Sequence, residues 1–245
     1  MCRMQGPVLG EFLGTMVLLT FGCGCVANVL LAKSKGQGAG WVSINFGWAM
    51  AVVFGVFTAT ATGSPQADIN PAVTLFKTLA GVYDFSLAIT LMIAQLAGAF
   101  CGAVIVYLIY LPHWELTEDK GAKLGIFSTG PAVRNIPANF MTEFIATLFL
   151  IIPIMCVFSK NVGGITAGLG PYLVGMLVYG IGASLGGPTG YAINPARDLG
   201  PRIAHAVLPI PGKGDSDWGY AWVPVVAPFC GGAAAFFIAK ALGLV

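Results

Sequence analysis

Six long apolar stretches divide this chain, at about 7–32, 42–62, 86–111, 137–159, 168–186 and 220–243. A helix needs about 20 apolar residues to cross a hydrocarbon core about 30 Å thick. Each stretch meets that length, so the pattern predicts six transmembrane helices. Polar or breaker-rich segments separate them: Lys33-Ser34-Lys35-Gly36, the charged stretch 112–136, Ser159-Lys160-Asn161, and 209–219. Two moderately apolar pieces remain, 70–79 and 194–207. At about 1.5 Å per residue the first extends only about 15 Å, half the core. The pattern therefore predicts an all-α membrane protein with six full spans and two half spans.

The two short pieces open on the same words. Ile69-Asn70-Pro71-Ala72 and Ile193-Asn194-Pro195-Ala196 each begin one of them. Asn is a favoured helix N-cap, and Pro is favoured at the first helical position, where no backbone donor is required. Each motif is thus read as the start of a half-membrane helix. A second repeated string, Glu11-Phe12-Leu13-Gly14-Thr15 and Glu143-Phe144-Ile145-Ala146-Thr147, precedes each motif by 59 and 51 residues. Both halves run in the order Glu-bearing span, second span, half helix, third span. Three spans per repeat is odd, so the second repeat enters from the opposite side. The expectation is an inverted 3+3 repeat, about 1–111 and 137–245, forming one channel domain with the half helices meeting near the midplane.

Composition agrees with a polytopic membrane protein. Hydrophobic residues make up 57% and charged residues 9% of the 245 positions, against about 25% charged in soluble domains. Mean hydropathy is +0.83. A net charge of +2 leaves no basic face for nucleic acid. The six cysteines (Cys2, Cys23, Cys25, Cys101, Cys156 and Cys230) sit mostly in apolar runs and read as small buried hydrophobes. His113 and His205 are far apart without a ligand pattern, so no metal or cofactor is expected. The first apolar segment lacks a convincing signal-peptidase site and reads as a retained span. No nucleophile–base pair or phosphate loop stands out, which argues against an enzyme.

Several polar residues stand out against the apolar background. Asn70 and Asn194 are structural caps whose side-chain NH₂ groups can also point into a pore. The two half-helix starts aim positive dipole ends at the centre and disfavour cations there. Arg197, directly after the second motif, is costly in a membrane unless it faces water or a partner. It reads as facing a pore mouth, or as snorkelling to the interface. Asp198 falls on the first turn, where a carboxylate suits the helix dipole. Glu11 reads either as an interfacial helix end or, with Glu143, as an acceptor for loop backbone that water cannot reach. Gly10-x-x-x-Gly14, Gly98-x-x-x-Gly102 and Gly182-x-x-x-Gly186 fit close helix packing, and Gly163-Gly164 and Gly186-Gly187 fit packing or loop bends.

Two Asn-Pro-Ala motifs, an Arg after the second, and six spans resemble the major intrinsic protein family, the aquaporins and glycerol facilitators. The run Gly190-Tyr191-Ala192-Ile193-Asn194-Pro195-Ala196-Arg197-Asp198 is similar to the glycerol-conducting branch, which the Asp after the Arg marks. The resemblance implies a selectivity filter of Trp48, Gly182, Tyr191 and Arg197. Water-selective members have His where Gly182 stands. Gly makes room for a large ring at Tyr191. Trp48 and Tyr191 then offer an apolar corner opposite the Arg197 donors, and a polyol has both a carbon edge and a hydroxyl edge. A packing role for Trp48 is the other reading. The resemblance also implies carbonyls lining the pore from Gln66, Ala67, Asp68, Gly190 and Ala192.

The approach to the first motif, Gly63-Ser64-Pro65-Gln66-Ala67-Asp68-Ile69, departs from the family pattern. It is about two residues longer, and Asp68 stands where the family has His. Two readings of Asp68 are open: an effect on gating, pH response or solute preference, or a bland substitution facing cytoplasmic water. The resemblance implies passive permeation of glycerol, water and other small uncharged solutes such as urea, without ions or protons. It further implies a homotetramer in the cell membrane with both termini cytoplasmic. A water-selective aquaporin would exclude glycerol. An ion-coupled transporter would accumulate its substrate, and a scaffolding protein would conduct little.

Overall fold

The structure is a computed structural model describing residues 6–166 and 168–245. Cys2 lies outside the described residues. The first half contains α1 (Pro7–Leu30), α2 (Gly40–Ala61), the half helix α3 (Pro71–Leu79) and α4 (Phe85–Ile109). A connector follows with α5 (Leu111–Leu116) and α6 (Lys120–Phe127). The second half contains α7 (Ile136–Val157), α8 (Leu169–Ser184), the half helix α9 (Pro195–Val207), the short α10 (Trp218–Ala221) and α11 (Val223–Ala241).

Helix starts follow local chemistry. Asp84 and Asp119 cap α4 and α6 by accepting from the amides of Leu87 and Ala122 at 2.8 and 3.0 Å. Asn135 caps α7 on Ala138, with Pro137 in the first turn. Polar caps on apolar helices satisfy amide groups that lipid cannot.

The spans pack through small residues. At Gly14 an added Cβ would lie 2.6 Å from the Cβ of Ala59 and 2.7 Å from the carbonyl of Gly55. At Gly102 it would lie 2.6 Å from the Met16 carbonyl. These glycines bring α2 and α4 onto α1, as small-residue contacts do in bilayers. The third glycine pair serves another purpose. Gly182 and Gly186 both face the ring of Tyr191, with added Cβ atoms 2.7 and 2.3 Å from it, and Gly182 also faces Asn45 Oδ1 of α2 at 2.6 Å. Gly163, at φ 93°, lies in a loop.

Each half helix leans on the third span of the opposite repeat. α9 packs on α4, where a Cβ at Gly200 would meet the Cβ of Ala99 at 2.7 Å, and α3 packs on α11, where a Cβ at Gly232 would meet the Ala72 carbonyl at 2.7 Å. This exchange ties the inverted halves into one body.

Three sequence expectations need correction. Among the described residues, five helical segments have the length and apolarity to cross a membrane, but the fifth span, α8, has only 16 residues, about 24 Å. Left-handed Gly168 precedes it, and Gly186-Gly187-Pro188 follows it closely, where the chain must turn back into the bundle. The charged stretch 112–136 is also more than a polar linker. It buries Trp114 and Phe127, whose rings stack at 5.6 Å. Finally, only Cys23 of the five described cysteines is buried; Cys25 and Cys101 are half-buried, and Cys156 and Cys230 are exposed. On apolar spans an outward thiol meets no desolvation cost, so burial is not enforced.

Candidate pore and its constriction

Asn70 accepts from the amide of Ala72 at 2.9 Å, and Asn194 accepts from those of Ala196 and Arg197 at 3.0 and 3.1 Å. Pro71 and Pro195 occupy the first helical positions, where their missing N–H costs nothing. The caps fix both amide groups with their NH₂ ends outward. Asn70 Nδ2 donates to the Ile193 carbonyl, and Asn194 Nδ2 donates to the Ile69 carbonyl, both at 2.8 Å. Each NH₂ keeps a second hydrogen, and both residues line a common cavity of about 980 Å³.

The loops leading to the motifs correspond at a shift of 124 residues. Ala67, Ile69, Tyr191 and Ile193 all have φ between 39° and 44°. Non-glycine residues rarely hold this left-handed conformation, which costs about 1–2 kcal/mol each. The strain persists because buried acceptors overdetermine the loops. Glu11 accepts from the amides of Asp68 and Ile69 at 2.8 and 2.7 Å and from Ser64 Oγ at 2.6 Å. Glu143 accepts from the amides of Ala192 and Ile193 at 3.0 and 2.9 Å and from Thr189 Oγ1 at 2.6 Å. Both carboxylates are fully buried, so Glu11 is not an interfacial helix end.

Gln66, Ala67, Asp68 and Ala192 line the cavity, whereas Gly190 is not among its lining residues. The Gln66 carbonyl already accepts from Lys77 Nζ at 2.9 Å. Asp68 does not face bulk water. Its side chain is fully buried, paired with Lys77 Nζ at 2.5 Å and accepting from Thr74 Oγ1 at 2.9 Å. Gln95 extends this network by donating to Glu11 and to Thr74, at 2.8 and 2.9 Å. Lys77, in the last turn of α3, thus reaches back and staples the loop that precedes its own helix.

At the other end of the cavity the guanidinium of Arg197 lies over the Trp48 ring, 4.1 Å from its centroid. Its Nη1 donates to the Phe127 carbonyl at 3.3 Å. Arg197 is buried inside the bundle, which excludes the snorkelling position. Trp48, Tyr191 and Arg197 line the same cavity, and Gly182 lies behind the Tyr191 ring. Asp198 is turned away from the cavity. It accepts from the Thr129 amide and hydroxyl, both at 2.7 Å, and from Arg202 Nε at 2.8 Å. Arg202 in turn donates to the carbonyls of Thr129 and Ser216. Past the end of α9, Lys213 Nζ donates to three carbonyls, of His205, Ala206 and Leu208. Burial draws the pKa of this lysine below its usual value.

Sequence reasoning missed Gln95, Lys77, Arg202, Thr129 and Asn45. Arg202 carried a usable signal, four residues after Asp198 on one helix face. Gln95 and Asn45 carried another, as lone amides within apolar spans. Thr129 carried none, because its partner is 69 residues away.

Inverted repeats, two half helices meeting cap to cap, and one continuous cavity past both caps define a multi-pass membrane channel. A family model described as "Major intrinsic protein" matches residues 2–239. The chain is 52% identical over 224 residues to a probable glycerol uptake facilitator protein of Thermotoga maritima, covering 91% of this chain and 94% of that one. It is 54% identical over 226 residues to glycerol uptake facilitator protein 3 of Lactiplantibacillus plantarum, covering 92% of each. Its fold matches the aquaglyceroporin from Plasmodium falciparum with a TM-score of 0.84 and 30% identity, over 95% and 94% of the two chains. The chain belongs to the major intrinsic protein family. It is a channel and not an enzyme.

Proposed function

We propose that this protein conducts glycerol, water and other small uncharged solutes, including urea, passively down their gradients and without ions or protons. The observation that carries this reading is the constriction. Arg197 presents fixed donors stacked against the Trp48 ring, and Trp48 and Tyr191 present apolar ring surface beside those donors. A polyol satisfies both surfaces at once. Its hydroxyl groups replace hydration with Arg197 and loop carbonyls, and its carbon edge slides along the rings. Gly182 supports this by leaving space that a larger side chain would take from Tyr191.

Beyond the constriction, the solute exchanges its hydrogen bonds with the free NH₂ hydrogens of Asn70 and Asn194. Loop carbonyls, including those of Ala67, Asp68 and Ala192, serve as successive acceptors, with Gln66 shared with Lys77 and Gly190 supplying the bend. Glu11, Glu143 and Asp198 hold the loops and do not touch solute. The whole chain acts as one channel domain built from the two repeats, and the glycerol facilitators it matches support that reading. The reading places the protein in the cell membrane as a homotetramer with one pore per subunit and both termini cytoplasmic.

Stopped-flow light scattering on proteoliposomes tests it. Glycerol permeability should rise well above that of protein-free vesicles, with a smaller gain for water. A water gain with glycerol excluded would sink the proposal in favour of a water-selective channel.

A further inference from the structure

Tyr191 differs from a purely apolar lining ring in carrying a hydroxyl group. That hydroxyl does not face the lumen. It donates to Oδ1 of Asn45 at 2.8 Å, and Asn45 is 1% exposed and absent from the cavity wall. Asn45 sits on α2, one turn before Trp48, so both side chains leave the same helix face.

The ring is clamped from three further directions. An added Cβ at Gly182 would lie 2.7 Å from Tyr191 Cζ and 2.6 Å from Asn45 Oδ1, so this glycine leaves room for the hydrogen bond itself as well as for the ring. Gly186 lies against the other ring edge. Trp41 meets Tyr191 edge-on at 5.8 Å and is anchored by its indole N–H donating to the Gly182 carbonyl at 3.0 Å. The backbone of Tyr191 is held left-handed at φ 39°.

We infer that Asn45 is a positioning residue for solute selectivity, holding the Tyr191 hydroxyl behind the wall so that the lumen meets an apolar ring face. The inference rests on the proposed filter. Asn45 supplies an acceptor in a place water does not reach, and a buried hydroxyl without a partner is costly. Without Asn45 the hydroxyl is left unpaired in the wall, and because it moves only with its ring, that cost favours a shift of the whole ring toward the lumen, where acceptors are available. The ring surface beside Arg197 then becomes polar and the lumen narrower. Water tolerates that change, and the carbon edge of a polyol does not.

The test is the ratio of glycerol to water permeability per reconstituted channel for wild type, Asn45→Leu, Tyr191→Phe, the double variant and Gly182→His. Leu keeps the branched four-atom outline of Asn without accepting a hydrogen bond. Asn45→Leu should lower the ratio about fivefold, the factor that one neutral hydrogen bond carries. In the double variant no hydroxyl needs holding, so its ratio should return to within about twofold of Tyr191→Phe, against that same fivefold scale. Where Leu is not accommodated, Asn45→Ala, which only removes atoms, replaces it with the same expected ratio. An unchanged ratio in the Asn45 variant overturns the inference. So does a proportional loss of both permeabilities that Tyr191→Phe fails to rescue. Gly182→His separates this from failure of the filter reading. A ratio moved by His but not by Asn45→Leu rejects the role of Asn45 alone, whereas a ratio moved by neither rejects the filter as well.

Discussion

Glu11 and Glu143 do for the two re-entrant loops what water does for a loop on a soluble protein. Each gathers two consecutive backbone amides and a hydroxyl in a place with no solvent. Removing one carboxylate strands three donors, and each buried donor left unpaired costs about 1–3 kcal/mol. Glu143→Ala should therefore lower the melting temperature in detergent by roughly 5 °C or more, and Glu143→Gln, which keeps a carbonyl acceptor, by clearly less. Equal losses in the two variants would argue against the acceptor role. The duplication made these residues visible in the sequence, since two carboxylates at matching places in apolar spans require matching tasks. Asp68 was not legible in the same way. Its partner Lys77 lies nine residues on, across a helix start, and only the fold of the loop brings the two together.

At the scale of elements, α3 carries a staple that α9 builds differently. Lys77 reaches back to the Gln66 carbonyl and Asp68, while Arg202 joins Asp198 to the connector at Thr129. Breaking one partner of a buried pair leaves an uncompensated charge, which costs more than removing both. Lys77→Met should thus destabilise the protein by roughly 2–3 kcal/mol, discounted from a fully buried pair because Lys77 is partly exposed. Adding Asp68→Asn should recover part of that loss, which thermal unfolding of the two variants can measure. The lengths of the apolar stretches predicted six spans and two half spans in the right order. They overestimated α8 because apolar glycine-rich sequence continues past the point where the helix must stop. They missed α5 and α6 because short amphipathic helices resemble polar linkers until their burial is known.

The whole molecule presents positive helix ends from both sides to the centre of its cavity, and this sets what crosses. Glycerol flux should scale with its gradient, stop at equal concentrations, and be indifferent to a protonophore. Planar bilayers holding the protein should carry no current attributable to it. Accumulation of glycerol against a gradient, or flux driven by a pH difference, would indicate coupled transport instead. The inverted repeat was readable from two short strings in one order. The docking of each half helix on the opposite repeat was not, because no local sequence records which distant span will meet a glycine such as Gly200 or Gly232.

The reciprocal bonds from Asn70 to Ile193 and from Asn194 to Ile69 bear on how the protein is made. Synthesis delivers Asn70 123 residues before the carbonyl that will receive its amide hydrogen. Until then the first re-entrant segment has a cap and a brace but no counterpart, and α3 lacks α11 to lie against. The first half therefore completes its hydrogen bonding and packing only once the second half is in place. Neither half alone encloses the cavity, because its wall takes residues from both repeats.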